Sequence, residues 1–321
     1  MLQINHLYKN YGKFQAVRDL TLHIPEGELF GFAGPNGAGK TTTIRIVCGL
    51  MLPTAGEIMI GGMDARTNRK EIKKQIGYVP DFFGVYDNLK VREYMDFYGS
   101  MYRMNSREIA RISDDLLELV NLSDKKEAYV DTLSRGMKQR LCVARALIHN
   151  PSRLVLDEPN SGLDPRARVE MKELLLNLKD MGKTILISSH ILSELSEMCS
   201  SIGIMDQGSL VASGHIEDVM EGVFGSNRLI ITLDEGQETA VRIAKEHVKV
   251  KVDSVGEHEI KLSHTMSKSE IAKMIGTMIE NDVVVTGFHK QENDLEKLFM
   301  RVTGDKEAQR GGTEHAVEPD C

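Results

Sequence analysis

Short apolar runs bounded by charges or turn residues alternate with stretches of helical periodicity from Leu2 to about Met220. That is the pattern of an α/β domain built on a largely parallel sheet. Buried strands are expected at residues 29–33, 154–157, 184–188 and 201–205. Residues 3–7 and 17–24 alternate apolar and polar positions, and 57–62 reads as a strand with a tight turn, predicting a small antiparallel layer. Between Lys90 and His149 the periodicity is almost wholly helical, which predicts a separate helical lobe.

From Arg228 the order changes to strand (228–233), helix (237–247), strands (248–252 and 259–262), helix (267–281), strand (283–288) and helix (293–302). A βαββαβ order with a final helix suits a ferredoxin-like α+β appendage. The chain is therefore expected to comprise a domain over residues 1–222, an accessory domain over 223–303 joined by a linker near 222–227, and a polar, disordered tail over 304–321.

With 321 residues, about two domains are expected. No apolar run approaches the roughly 20 residues of a membrane span. The N-terminus lacks the basic and apolar segments of a secretory signal, so residence in the cytosol is expected. Cys48, Cys142, Cys199 and Cys321 are scattered without a C-x-x-C pair, as fits reduced thiols rather than a disulfide framework or a zinc site. The net charge is -7, without the basic footprint of a nucleic-acid binder in either part.

Chemistry enters at Gly34-Pro35-Asn36-Gly37-Ala38-Gly39-Lys40-Thr41, which satisfies G-x-x-x-x-G-K-[ST] between a predicted strand and the periodic stretch opened by Thr42. Glycines let backbone N–H groups converge on phosphate oxygens. Lys40 neutralises β- and γ-phosphate charge, and the Thr41 hydroxyl is suited to ligate Mg²⁺. Downstream, residues 153–159 form a buried-type strand ending in Asp157 and Glu158. Asp157 is suited to the Mg²⁺ shell, and Glu158, turned to another side by strand alternation, to activating water.

Leu133-Ser134-Arg135-Gly136-Met137 falls shortly before that strand, as the L-S-G-G-Q signature of the ABC ATPases does. Tyr11, the 76–81 stretch ending at Asp81, Ser161-Gly162-Leu163-Asp164 and Ser188-Ser189-His190 follow in the family's order. Over residues 1–222 the chain thus resembles the ABC ATPases. The resemblance implies a P-loop NTPase fold with a RecA-like core, an antiparallel layer and a helical subdomain. It also implies that Tyr11 stacks on adenine, that Ser134 and Gly136 contact ATP bound to a second copy in a head-to-tail homodimer, that Asp164 organises the seam, and that His190 touches the γ-phosphate. Asp81 takes the metal-site position where most members carry Gln, and Arg135 and Met137 replace the first Gly of the pair and the Gln of the signature.

The L-S-R-G-M variant and the 295–299 segment are similar to prokaryotic exporter ATPases made apart from their membrane subunits, which move drugs, polysaccharide precursors, sodium or peptides. The implied function is an ATP-hydrolysing subunit, peripheral on the cytoplasmic face of the membrane, working with a transmembrane permease. A non-transport ABC ATPase is the alternative, and a long coiled-coil insertion or a second cassette would favour it. A P-loop kinase would lack the signature segment. Seven of 17 aromatic residues lie between Phe82 and Tyr102. Tyr94, Phe97, Tyr98 and Met101 recur at helical spacing and are expected to be core. Phe82, Phe83 and Tyr86 are expected to form the exposed patch that receives the permease.

Overall fold

The computed structural model describes residues 1–82, 84, 88–224 and 227–290. The chain divides into two units, residues 1–216 and 217–321. The first begins with the hairpin β1 (Leu2–Tyr11) and β2 (Phe14–Ile24), which turns Leu2, Ile4, Leu20 and Leu22 inward. β3 (Leu29–Ala33), buried at every residue, leads through a glycine-rich loop into α1 (Lys40–Val47). β4 (Ala55–Ile60), β5 (Met63–Asp64), α2 (Arg69–Gln75) and β6 (Ile76–Val79) follow.

The helical lobe consists of α3 (Val91–Met101), α4 (Ser106–Leu119) and α5 (Arg135–Leu147). The chain then returns through β7 (Arg153–Asp157), α6 (Pro165–Asp180), β8 (Thr184–Ser189), α7 (Leu192–Ser196), β9 (Ser201–Asp206) and β10 (Ser209–His215).

Two sheets result. The antiparallel layer has the order β2-β1-β4-β5, and the central six-stranded sheet the order β10-β9-β3-β8-β7-β6. The strands from β9 to β6 are parallel, with β10 antiparallel at the edge. A single apolar core joins the antiparallel layer, α1 and the central sheet through residues such as Ile4, Leu20, Phe32, Ile44 and Leu186. Each such fully buried side chain contributes about 1.5–3 kcal/mol. β6 and β10 were not anticipated as strands. β6 is too short to set up a period, and β10 is an edge strand whose residues are half exposed.

The expectation of a four-residue core stripe on α3 is corrected. Tyr94 is buried and Tyr98 half-buried, whereas Phe97 and Met101 are exposed. The buried face is Val91, Tyr94, Met95 and Gly99, where Gly99 admits Ile109 of α4. Phe97 is rotated off this face, and Met101 closes the helix.

α8 (Ile216–Phe224) begins at the division between the units. The second unit continues with β11 (Asn227–Glu235), α9 (Gln237–Glu246), β12 (Val250–Val255), β13 (Glu259–His264), α10 (Lys268–Glu280) and β14 (Val284–Lys290). Its sheet order, β12-β13-β11-β14, all antiparallel, is that of a ferredoxin-like split βαβ. Alternate residues Leu229, Ile231 and Leu233 pack with Ile243 of α9 and Met274 and Met278 of α10. The expected helix at 293–302, the tail at 304–321 with Cys321, and residues 225 and 226 of the expected linker lie outside the described residues.

Candidate functional site

Parallel pairing carries the ends of β3, β7 and β8 to one edge of the central sheet, with Ala33 opposite Ser189 and Asp157 opposite Ser188. In open α/β sheets, ligands bind beyond such carboxyl ends. The loop from Gly34 to Gly39 leaves β3 at this edge. Pro35, Asn36 and Gly37 are exposed, Ala38 is buried and its N–H donates to Pro35 O at 3.1 Å.

Gly39 is the residue before α1 and has φ 104°; a β-carbon there would lie 2.4 Å from the Ala16 carbonyl oxygen, so only glycine fits. The first turn of α1 holds no acidic side chain, which leaves its N-terminal N–H groups and dipole to an anion. Lys40 is buried, and its ammonium donates to Gly34 O at 2.5 Å and Pro35 O at 3.2 Å while facing Glu158 Oε1 at 3.3 Å.

Asp157, buried at the end of β7, accepts hydrogen bonds from Ser188 Oγ (2.8 Å) and Thr41 Oγ1 (3.2 Å). Burial pushes its carboxyl above the usual range; the two hydroxyl donors oppose this, and the charges of Glu158 and Asp81 add to it. Thr42 follows Thr41, half-buried.

Glu158 differs from expectation in how it is turned. β7 ends at Asp157, and Glu158 has φ 49°, so a left-handed residue rather than strand alternation redirects its carboxylate. A non-glycine residue in this conformation costs about 1–2 kcal/mol. The backbone is held by Glu158 N donating to Ser188 Oγ at 3.0 Å. On the side chain, Glu158 Oε2 lies 2.7 Å from His190 Nδ1 and accepts from His190 N at 3.3 Å.

The oxygen donor set has the chemistry of a hard cation. No group of three or more His, Cys, Asp or Glu is placed to hold a metal unaided among the described residues. Glu158 Oε1 accepts no hydrogen bond among them. Thr41 and Asp157 therefore fit a Mg²⁺ that arrives with phosphate and keeps much of its own shell. Asp81, at the end of the β6 segment, is exposed, and its charge is felt at Asp157.

The remaining predicted residues fall into two groups. Ser134 is the cap of α5, its Oγ accepting from Met137 N at 3.3 Å, and Gly136 packs on α6, where a β-carbon would meet Ala167 Cβ at 2.7 Å. Asp164 caps α6, accepting from Ala167 N at 2.9 Å. These three thus sit together where α5 and α6 begin. Tyr11 ends β1, exposed, with its hydroxyl on Met51 Sδ at 2.9 Å and Lys9 Nζ 5.2 Å from its ring centroid. Its hairpin reaches the phosphate loop through the Ala16 carbonyl at Gly39.

Of the aromatic patch, Phe82 is exposed, and Phe83 and Tyr86 lie outside the described residues.

Sequence reasoning passed over Ser188 as a site residue, although this one hydroxyl ties Asp157 to Glu158. The available signal was its position at the end of a wholly buried strand, two residues before His190. It also passed over a cleft of about 340 Å³ lined by Lys73, Tyr78, Tyr98, Tyr102, Arg145 and His149, among other residues. The Arg145 guanidinium lies over the Tyr98 ring, 5.0 Å from its centroid, and donates to Tyr94 Oη at 3.2 Å.

The ABC transporter family profile matches residues 17–161. The linearmycin resistance ATP-binding protein LnrL of Bacillus subtilis is 32% identical over 95% of this chain and 98% of its own length. The bacitracin transport ATP-binding protein BcrA of Bacillus licheniformis is 34% identical over 95% and 97%. Among solved structures, the ATP-binding subunit of an ABC transporter superposes with a TM-score of 0.64 at 30% identity, covering 70% of this chain and 94% of the other. A dimeric ATP-binding cassette in a post-hydrolysis state, bound to ADP and Pi, superposes with a TM-score of 0.61 at 26% identity, covering 67% and 99%. A phosphate-binding loop, paired carboxylates at one sheet edge and full-length likeness to these proteins together place the chain in the family of ABC transporter ATP-binding subunits, which bind and hydrolyse ATP.

Proposed function

We propose that two copies of this chain close head to tail around two ATP molecules and drive export through separate transmembrane subunits, from the cytoplasmic face of the membrane. The observation that carries this reading is the convergence of Lys40, Thr41, Asp157, Glu158, Ser188 and His190 at one sheet edge. The 34–39 loop and the start of α1 take the β- and γ-phosphates, which replace Glu158 and the loop carbonyls as partners of Lys40. Tyr11 presents its exposed ring to adenine. Thr41 and Asp157, with Asp81 beside them, would hold Mg²⁺, and a cation there would offset negative charge on the phosphate oxygens.

Glu158 accepts the proton of the attacking water, and His190 orients the carboxylate and faces the γ-phosphate. Across the seam, Ser134, Gly136 and the N-terminus of α5 complete the wrapping of the partner's ATP, and Asp164 orders the contact. Export is supported by the likeness to linearmycin resistance and bacitracin transport proteins. The cleft beneath Tyr98 and Arg145, close in sequence to Phe82, is suited to a cytoplasmic segment of the transmembrane partner carrying a carboxylate. Lys73 and Arg145 line the cleft, and no acidic residue lines it among the described residues.

Light scattering on Glu158→Gln tests the reading. A dimer in Mg·ATP that reverts to monomer in ADP is expected; a monomer under both conditions overturns it.

A further inference from the structure

Arg135 stands in the signature where the family pattern has glycine, and although the residue is exposed, its guanidinium rests against another part of the chain. It lies over the α-carbon of Gly162. A β-carbon on Gly162 would come within 2.7 Å of Arg135 Cζ, 2.9 Å of Nη1 and 3.0 Å of Nε. Gly162 has φ 67°, so its own conformation also calls for glycine. Among the described residues no carboxylate forms an ion pair with Arg135. Its position in the first turn of α5 sets a cation against the positive end of a helix that carries no acidic residue there. Neither charge pairing nor helix stability accounts for an arginine at this place, whereas the flat contact with Gly162 does.

The contact leads back to the catalytic carboxylate. Gly162 lies in a turn in which Ser161 N donates to Glu158 O at 3.0 Å and Leu163 N to Asn160 O at 3.2 Å. Asn160 Nδ2 in turn donates to Glu194 Oε2 at 3.1 Å, and Glu194 pairs with Arg168 at 3.3 Å, so the turn is pinned on its far side. One end of the turn therefore carries Glu158, in its left-handed conformation, and the other is covered by the residue next to Ser134. Gly136 on Ala167 makes the neighbouring close approach of α5 to α6.

We infer that Arg135 is a positioning residue: by clamping Gly162 it ties the Ser134 end of α5, which meets the partner's nucleotide, to the placement of Glu158 in its own subunit. This rests on the head-to-tail dimer proposed above. Displacement of α5 on engaging the partner's ATP is then transmitted through the 158–164 turn to the carboxylate. Arginine suits the task because its planar guanidinium covers a backbone surface that the round ammonium of lysine does not.

The test uses full-length protein carrying Arg135→Gly, Arg135→Lys, Gly162→Ala, and Arg135→Gly with Gly162→Ala. ATP turnover is measured against ATP concentration, and Mg·ATP-driven dimerisation is measured for each variant in the Glu158→Gln background. Arg135→Gly is expected to lower kcat about ten-fold with KM changed less than about three-fold, a positioning effect. It is also expected to leave dimerisation in the Glu158→Gln background intact, because Ser134 and Gly136 remain. Arg135→Lys is expected to resemble Arg135→Gly, and adding Arg135→Gly to Gly162→Ala to cost less than the two separate losses combined.

Unchanged kcat in Arg135→Gly, full recovery by lysine, or strict additivity overturns the inference. Loss of dimerisation in Arg135→Gly overturns it too, since Arg135 is then a nucleotide contact rather than a clamp. If Glu158→Gln with Arg135 intact does not dimerise, the dimer reading fails and the inference falls with it, an outcome distinct from the other four.

Discussion

His190 Nδ1 lies 2.7 Å from Glu158 Oε2, and the same oxygen accepts the His190 backbone N–H. The carboxylate is thereby held from the β8 end while its other oxygen faces Lys40. Glu158→Gln keeps the size and can keep the contact with His190, but it cannot take a proton. Turnover is expected to fall by roughly 10²–10⁴-fold, the usual weight of a general base. ATP affinity is expected to hold, since in the proposed site the lost charge would face the γ-phosphate. Steady-state hydrolysis with calorimetric ATP titration checks both, and near-normal turnover removes Glu158 as the base.

Lys40→Ala removes the buried ammonium that is bonded to the Gly34 and Pro35 carbonyls. A hydrogen bond to a charged group contributes about 1.5–3 kcal/mol, so ATP is expected to bind roughly 10- to 150-fold more weakly and hydrolysis to be lost. Titration with a fluorescent ATP analogue reads the affinity. An unchanged dissociation constant sinks the assignment.

Ser188→Ala deletes the hydroxyl that donates to Asp157 and accepts from Glu158 N. Asp157 keeps Thr41, but the left-handed Glu158 backbone loses its anchor. The expected signature is kcat down about ten-fold with KM nearly constant, as for a misplaced group. Ser188→Thr, which retains a hydroxyl, is expected to recover part of the loss. If affinity falls as far as turnover does, Ser188 acts through the metal site instead.

In the second unit, Glu270 is pushed down to about 2 from an ordinary 4.5, first by Lys249, whose Nζ lies 2.7 Å away, and then by the Ser267 N–H and hydroxyl of the α10 cap. A carboxylate lowered by folding stabilises above its unfolded value, and that contribution disappears as pH falls toward the folded one. The difference in thermal midpoint between wild type and Glu270→Gln should be full above pH 4.5 and shrink between 4.5 and about 2. A constant difference across that window contradicts the assignment.

Much of this protein is legible along the chain, because some of its requirements are local. A phosphate loop needs its glycines, lysine and threonine in one contiguous run, since the N–H groups must converge within a single turn. Buried strands such as β3 and β7 announce themselves as continuous apolar runs because both faces are covered. The alternation of β11 and the capping box of α10 likewise need only near neighbours. Half-exposed β10 and the Phe97 side of α3 were less legible, since their burial depends on which distant elements cover them.

The joins between these segments arise from packing alone. Parallel registry of β7 with β8 sets Asp157 opposite Ser188, and so makes a plain serine the bridge between two carboxylate residues. The left-handed turn at Glu158 has no mark in the sequence, because nothing in Asp-Glu-Pro requires it; it persists because Ser188 and His190 hold it. Arg135 reads as a departure from a glycine position until α5 and α6 meet and lay its guanidinium on Gly162. Contacts between residues far apart in the chain depend on the register of strands and the approach of helices, which no local pattern of side chains records.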